Sequence, residues 1–131
     1  MTGLPPRDAT FTVARDLDAK VFEGEGLTLF GLHRASVMKN NPAITGRVFR
    51  NCGIEGPAVA LILEGVRFDS CDFGNTGGDI RNILLRPVSP TKVIGAIPIR
   101  DCLFIGCRFF AVGFTGSEAF ITEMSGIQTR P

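Results

Sequence analysis

Cys52, Cys71, Cys102 and Cys107 have the widest chemical range of any residues in this sequence, because a thiol can act as nucleophile, zinc ligand or disulfide partner. Structural zinc sites bring cysteines in paired Cys-x-x-Cys knuckles. None is present here, and His33 is the single imidazole. The spacing therefore predicts no metal ion and no cofactor. Each cysteine instead stands between two apolar residues, in a slot where free Cys acts as a compact hydrophobe. The charged candidates are Arg50, Asp69 and Arg100, which share one position of a recurring phrase, together with Arg86 and Lys92. These five are the expected binding residues. Asn51, Ser70 and Asp101 follow the first three and suit corners, where such side chains bond to nearby backbone. His33 lies near no Ser or Cys nucleophile in sequence and is expected at the surface. Gly74-Asn-Thr-Gly77-Gly78-Asp79 lacks the Lys-Ser/Thr of a P-loop and the spacing of a dinucleotide fingerprint, so it is expected to be a turn.

The elements that must position these residues announce themselves as a repeat. The phrase apolar, two variable, small or Cys, one variable, apolar occurs four times. It reads Leu32-His-Arg-Ala35-Ser-Val37, Phe49-Arg-Asn-Cys52-Gly-Ile54, Phe68-Asp-Ser-Cys71-Asp-Phe73 and Ile99-Arg-Asp-Cys102-Leu-Phe104. Its starts are 17, 19 and 31 residues apart. The last interval predicts an inserted loop, assigned to residues 86–92. Aligned on the phrase, Phe49, Phe68 and Ile99 form one expected ladder, Cys52, Cys71 and Cys102 a second, and Ile54, Phe73 and Phe104 a third. The shared position would set Arg50, Asp69 and Arg100 on neighbouring strands, an alternation of opposite charges. After Ile97 the period tightens to five. Ile97, Cys102, Cys107 and Val112 are five apart, as are Ile99, Phe104, Phe109 and Phe114.

This five-residue grammar, over Ile97–Phe114 and more loosely in the pairs Leu61/Leu63, Val66/Phe68 and Cys71/Phe73, resembles the pentapeptide-repeat family. The phrasing is also similar to that of short bacterial β-helix proteins. In the family a small residue and a Phe or Leu point inward on each face. The chain departs from it by carrying Arg67, Asp72, Leu103, Arg108 and Gly113 where Asp or Asn is usual. The expectation is an all-β chain folded as a right-handed parallel β-helix, a solenoid of about four to six short coils.

One domain spans 1–131. Residues 1–9 are expected to be flexible, 10–31 to form a first coil or N-terminal cap, and 32–114 to form the regular coils. Residues 115–126 are expected to close the end as a short helix. Thr115 and Glu118 have capping-box spacing, Phe120, Ile121 and Met124 share a face, and Gly126 stops the helix. Val21-Phe22 and Leu27–Phe30 are expected as strands around Glu23-Gly-Glu-Gly26.

Composition narrows the function classes. A balance of 14 basic and 13 acidic residues argues against a general attraction to nucleic acid. No apolar run approaches the ~20 residues that span a bilayer, and the N-terminus does not read as a secretory signal, so a cytoplasmic setting is expected. Eleven Phe stand beside no Trp and no Tyr, so the aromatics are pure burial residues. Ile83-Leu84-Leu85 and Phe109-Phe110 cannot all point inward on strands. Leu84 and Phe110 are therefore the expected interface residues.

The favoured function is a non-catalytic binding or scaffold module whose partner is itself or another protein. Two alternatives belong to other classes. One is a small carbohydrate-binding or carbohydrate-active β-helix, as in pectate lyases, for which the carboxylate cluster is missing. The other, implied by the pentapeptide resemblance, is a DNA mimic that interacts with topoisomerases, which a formal charge of +1 disfavours.

Overall fold

The computed structural model describes residues 11–127, so the expectation for 1–9 falls outside the described residues. Among the described residues the chain is strand-rich, with parallel pairings, two helices and no closure into a barrel. In order it forms β1 (Thr12–Val13), β2 (Val21–Glu23), β3 (Glu25–Thr28), α1 (Leu29–Met38), β4 (Ile44–Thr45), β5 (Val48–Arg50) and β6 (Gly53–Ile62). Then come β7 (Arg67–Asp69), a short 3-10 helix (Ile80–Ile83), β8 (Leu84–Leu85), β9 (Ile97–Arg100), β10 (Leu103–Ile105), β11 (Arg108–Gly116) and α2 (Glu118–Ser125).

The strands fall into two sheets. The four-stranded sheet runs β2-β5-β10-β7. The seven-stranded sheet runs β1-β3-β6-β11-β8, with β9 pairing both β4 and the C-terminal half of β6. Both orders share one property. The last strands of the chain, β10 and β11, lie between β5 and β6 on one side and β7 and β8, which follow β6 in sequence, on the other.

That insertion corrects the expected ladders. Phe49 and Phe68 are not flanked by Ile99; both pair with Phe104, which lies between them. Phe22 extends the column beyond Phe49. The four rings stack in sequence, Phe22 on Phe49 at 5.1 Å, Phe49 on Phe104 at 4.7 Å and Phe104 on Phe68 at 5.2 Å, all within 12° of parallel. Ile54 pairs Leu27 on one side and Phe109 on the other, and Phe73 stacks on Phe109. Ile99 instead lies between Ile44 and Ile62. The physical cause is the five-residue step itself. The phrase also fits Phe104-Ile-Gly-Cys107-Arg-Phe109, so two registers five residues apart bury the same kinds of side chain.

The inward assignment after Ile97 agrees with the structure. Ile97, Ile99, Cys102, Phe104, Cys107, Phe109, Val112 and Phe114 are all buried. Val66, Phe68, Cys71 and Phe73 also pack on the core. Leu61/Leu63 is one residue off: Ala60 and Ile62 join the main cluster, while Leu61 is buried outside it.

Two expectations about helices also change. The first phrase, Leu32 to Val37, is part of α1, not a strand. Thr28 caps the helix by accepting from the Gly31 N–H, and Leu29, Leu32 and Ser36 bury one face at helical spacing. Val37, which the phrase would send inward, is exposed, because the helix set by this cap turns Ser36 inward in its place. The helix packs on β3, β4, β6 and β9. At the other end α2 forms as expected and is bounded by Gly126, with Ile121 and Met124 buried and Phe120 against the core. Its cap is Ser117, which accepts from the Phe120 N–H, not Thr115. Thr115 belongs to β11 and is buried, donating to the Leu85 carbonyl at 2.6 Å. The chain between β8 and β9 is irregular, as the inserted loop requires.

Candidate functional site

The corners between strands come first, because they aim the outward residues. Asn51, Ser70 and Asp101 all have positive φ, between 52° and 56°, the conformation that Asn and Asp tolerate best after Gly. Beside them stand glycines. A Cβ on Gly106 would lie 2.5 Å from Asn51 Oδ1, and one on Gly65 would lie 2.0 Å from Asp101 Oδ1. The polar side chain of one corner thus occupies the space a Cβ would need on its neighbour. Asn51 also donates to Glu23 Oε2 at 3.2 Å. The corner placement expected for these residues is the one observed, though the side chains of Asn51 and Ser70 bond to those of Glu23 and Asp69 and not to nearby backbone.

The expected binding residues do not converge. Arg50 and Asp69 are exposed in the same sheet, but Ile105 lies between them. Arg100 is in the other sheet, beside Thr45, and ion-pairs with Glu64 at 2.6 Å. The alternation of Arg50, Asp69 and Arg100 on successive strands is therefore corrected, by the same five-residue shift. Arg86 pairs with Glu118 of α2, and Lys92 is exposed on the loop. Among the expected interface residues, Leu84 is half-buried and packs on the core; its neighbour Leu85 is the outward one. Phe110 is half-buried on β11, in register with Glu55. His33 is half-buried on α1, not outward, and its Nδ1 has no hydrogen-bond partner. Gly74–Asp79 is a turn: Asp72 Oδ1 accepts from Gly74 N, Asn75 Oδ1 from Gly77 N, and Asp79 caps the 3-10 helix.

What the structure does assemble is the outer face of the four-stranded sheet. Its strands have three residues each, with the middle Phe inward, so the flanking residues point out. One outward row reads Val21, Val48, Leu103, Arg67 and the other Glu23, Arg50, Ile105, Asp69. Val21, Val48, Leu103 and Ile105 form a contiguous aliphatic strip, bordered by two acids and two arginines. Val21 is 56% exposed. The contacts of α1 fall on β3, β4, β6 and β9, and those of α2 on β8, β11 and the 3-10 helix. Sequence reasoning missed this face because Val48, Leu103 and Ile105 share it only once β10 is placed beside β5.

The cysteines form the second constellation. Cys107 lies between Cys52 and Cys71 across the strands, and its thiol donates to the Phe49 carbonyl at 3.3 Å. The neighbouring Cys107 thiol lowers those of Cys52 and Cys71 from their ordinary value. Cys107 is raised by Cys52, then by Cys71, then by burial. Cys102 belongs to another column, with its Sγ 3.5 Å from the Ile44 carbonyl, and burial raises it. The expected Cys52/Cys71/Cys102 ladder therefore has Cys107 in place of Cys102. All four cysteines are free thiols. Among the described residues no three His, Cys, Asp or Glu side chains are grouped to hold a metal ion, and no helix is long and apolar enough to cross a membrane.

No family model, curated protein or solved structure matches the chain.

Proposed function

We propose that the chain is a parallel β-solenoid serving as a non-catalytic binding and scaffold module, and that it associates with a second copy of itself through the outer face of β2, β5, β10 and β7. The aliphatic strip Val21, Val48, Leu103 and Ile105 carries this reading. It is more apolar than a sheet face meant for water, where alternation would place polar residues.

Charge selects the partner. A two-fold axis lying in the face and running across the strands sets each strand antiparallel to its own copy. Leu103 then faces Ile105 of the second copy and Arg67 faces Asp69, twice over by symmetry, while Val21 and Val48 pack on the methylene stems of Glu23 and Arg50. The face is small. Four strands of three residues cover roughly 200 Å², from ~3.3 Å per residue and ~4.8 Å per strand. Stable interfaces bury about 800 Å² per partner, so the dimer is weak and concentration-dependent.

Sedimentation velocity across a wide concentration range tests it. A mass that rises toward the dimer is expected, and Leu103→Asp abolishes the rise. Arg67→Asp alone sets like charges against Asp69 and weakens association, while R67D/D69R restores it. A wild-type chain that stays monomeric at millimolar concentration, or a swap that restores nothing, overturns the proposal.

A further inference from the structure

Cys71 differs from the other three cysteines in one respect. Cys52, Cys102 and Cys107 are buried, whereas Cys71 is partly open to solvent. Asp72 and Arg108 form a parallel bridge, and the Asp72 N–H donates to the Cys107 carbonyl at 2.8 Å, so Cys71 and Cys107 are direct neighbours on adjacent strand segments. Their side chains both point into the core. Paired strands lie ~4.8 Å apart, inside the Cα separation of roughly 4.4–6.8 Å that a disulfide spans.

We propose that Cys71 and Cys107 are a peroxide-responsive thiol pair, in which solvent-accessible Cys71 reacts first and Cys107 resolves it to an intramolecular disulfide. The pair stands apart from the dimer face and does not depend on it.

Thiolate is the reactive form. Cys71 is the one of the four cysteines that is partly open to solvent, so peroxide reaches it first and a thiolate there is the best hydrated. In the first step the Cys71 thiolate attacks hydrogen peroxide. The S–O bond forms, the O–O bond breaks, and hydroxide leaves to become water with a solvent proton. Cys71 is now a sulfenic acid. In the second step Cys107 attacks Cys71 Sγ; the S–S bond forms, the S–O bond breaks, and water leaves carrying the Cys107 proton. Two thiols have lost two electrons and two protons, and one peroxide has become two waters. The bond ties the β7–β8 pass to β11. Cys52, fully buried on the far side of Cys107, stays reduced.

Equimolar hydrogen peroxide, followed by denaturation, alkylation and peptide mass spectrometry, is the test. Wild-type protein should lose two of its four alkylatable thiols and yield a Cys71–Cys107 cross-linked peptide. Before oxidation, Cys71 in the folded protein should alkylate at least about tenfold faster than Cys102, as its access requires. Cys71→Ser should form no disulfide, and Cys107→Ser should leave a Cys71 sulfenic acid that dimedone traps. Should Cys107→Ser fail to fold, Cys107→Ala provides the same trap, and the wild-type and Cys71→Ser measurements stand without either. Four thiols surviving, a Cys52–Cys107 link, or thiol loss in Cys71→Ser at the wild-type rate would each overturn the proposal.

Discussion

The two sheets obey the same five-residue grammar and look quite different. The four-stranded sheet is uniform: every strand has three residues, and each sends one Phe into a near-parallel stack. The seven-stranded sheet mixes strands of two residues with strands of nine and ten. Its inner surface carries aliphatic ladders such as Ile44/Ile99/Ile62. A bulge between Phe110 and Val112 puts Ala111 at φ 56°, and a Cβ on the facing Gly56 would meet the Ala111 carbonyl oxygen at 2.0 Å. The difference teaches where irregularity is tolerated. Flat rings stack only at the strand spacing, so a Phe column enforces equal strands and equal corners. Branched aliphatics pack from several directions, so their sheet absorbs the bulge, the loop and both helices.

The largest test of that contrast is Phe104→Ala. Phe104 has ring neighbours on both sides, so its loss opens a cavity and costs about 3–5 kcal/mol in urea denaturation. Ile99→Ala, at the matching position of the other sheet, should cost less, toward about 2–4 kcal/mol; equal losses would break the distinction.

The corners come next. Gly106→Ala adds a Cβ at φ 61° against Asn51 Oδ1 and should cost about 1–2 kcal/mol. Adding Asn51→Gly removes the clash, so the double variant should be more stable than the sum of the single effects. Strict additivity would mean that the corner residues do not interlock.

A smaller effect is expected from Thr115→Val. It removes the hydrogen bond to Leu85 that ties β8 to β11, and about 1 kcal/mol should follow.

The smallest concerns Asp79, exposed at the cap of the 3-10 helix. The side-chain hydrogen bond from Arg81 holds its carboxyl at about 2, below the ordinary 3.8. Its contribution is therefore complete above 3.8 and disappears as pH falls through about 2. An NMR titration that placed the Asp79 carboxyl at its ordinary value would remove Arg81 from the account. The Arg81→Ala variant should raise it toward that value.

Much of this was legible in the sequence, for reasons visible at single residues. Cys52 and Ile54 point inward because alternation forces every second residue to one side, and Phe49 joins them because the corner at Asn51 resets the phase. Asn51, Ser70 and Asp101 occupy corners because they accept positive φ. Gly126 bounds the last helix, as its place after the Phe120, Ile121, Met124 face implied. The helix at Leu29–Met38 was hidden because its buried face, Leu29, Leu32 and Ser36, cuts across the phrase and leaves Val37 exposed, and the Thr28 cap lies before the phrase begins.

By itself, then, the sequence determined which side chains of the five-residue steps after Ile97 are buried, where the chain turns and how the last helix ends, since each of these depends on a few adjacent residues. Tertiary structure alone decided which strands are neighbours. Registers that differ by five residues bury equivalent side chains, so local pattern could not rank them. Loop closure also discriminates poorly, because doubling a loop costs only about 0.6 kcal/mol. The packed aromatic column breaks the tie. Phe104 fits between the rings of Phe49 and Phe68, and with it β10 brings Cys107 between Cys52 and Cys71, Leu103 beside Val48 and Ile105 beside Arg50.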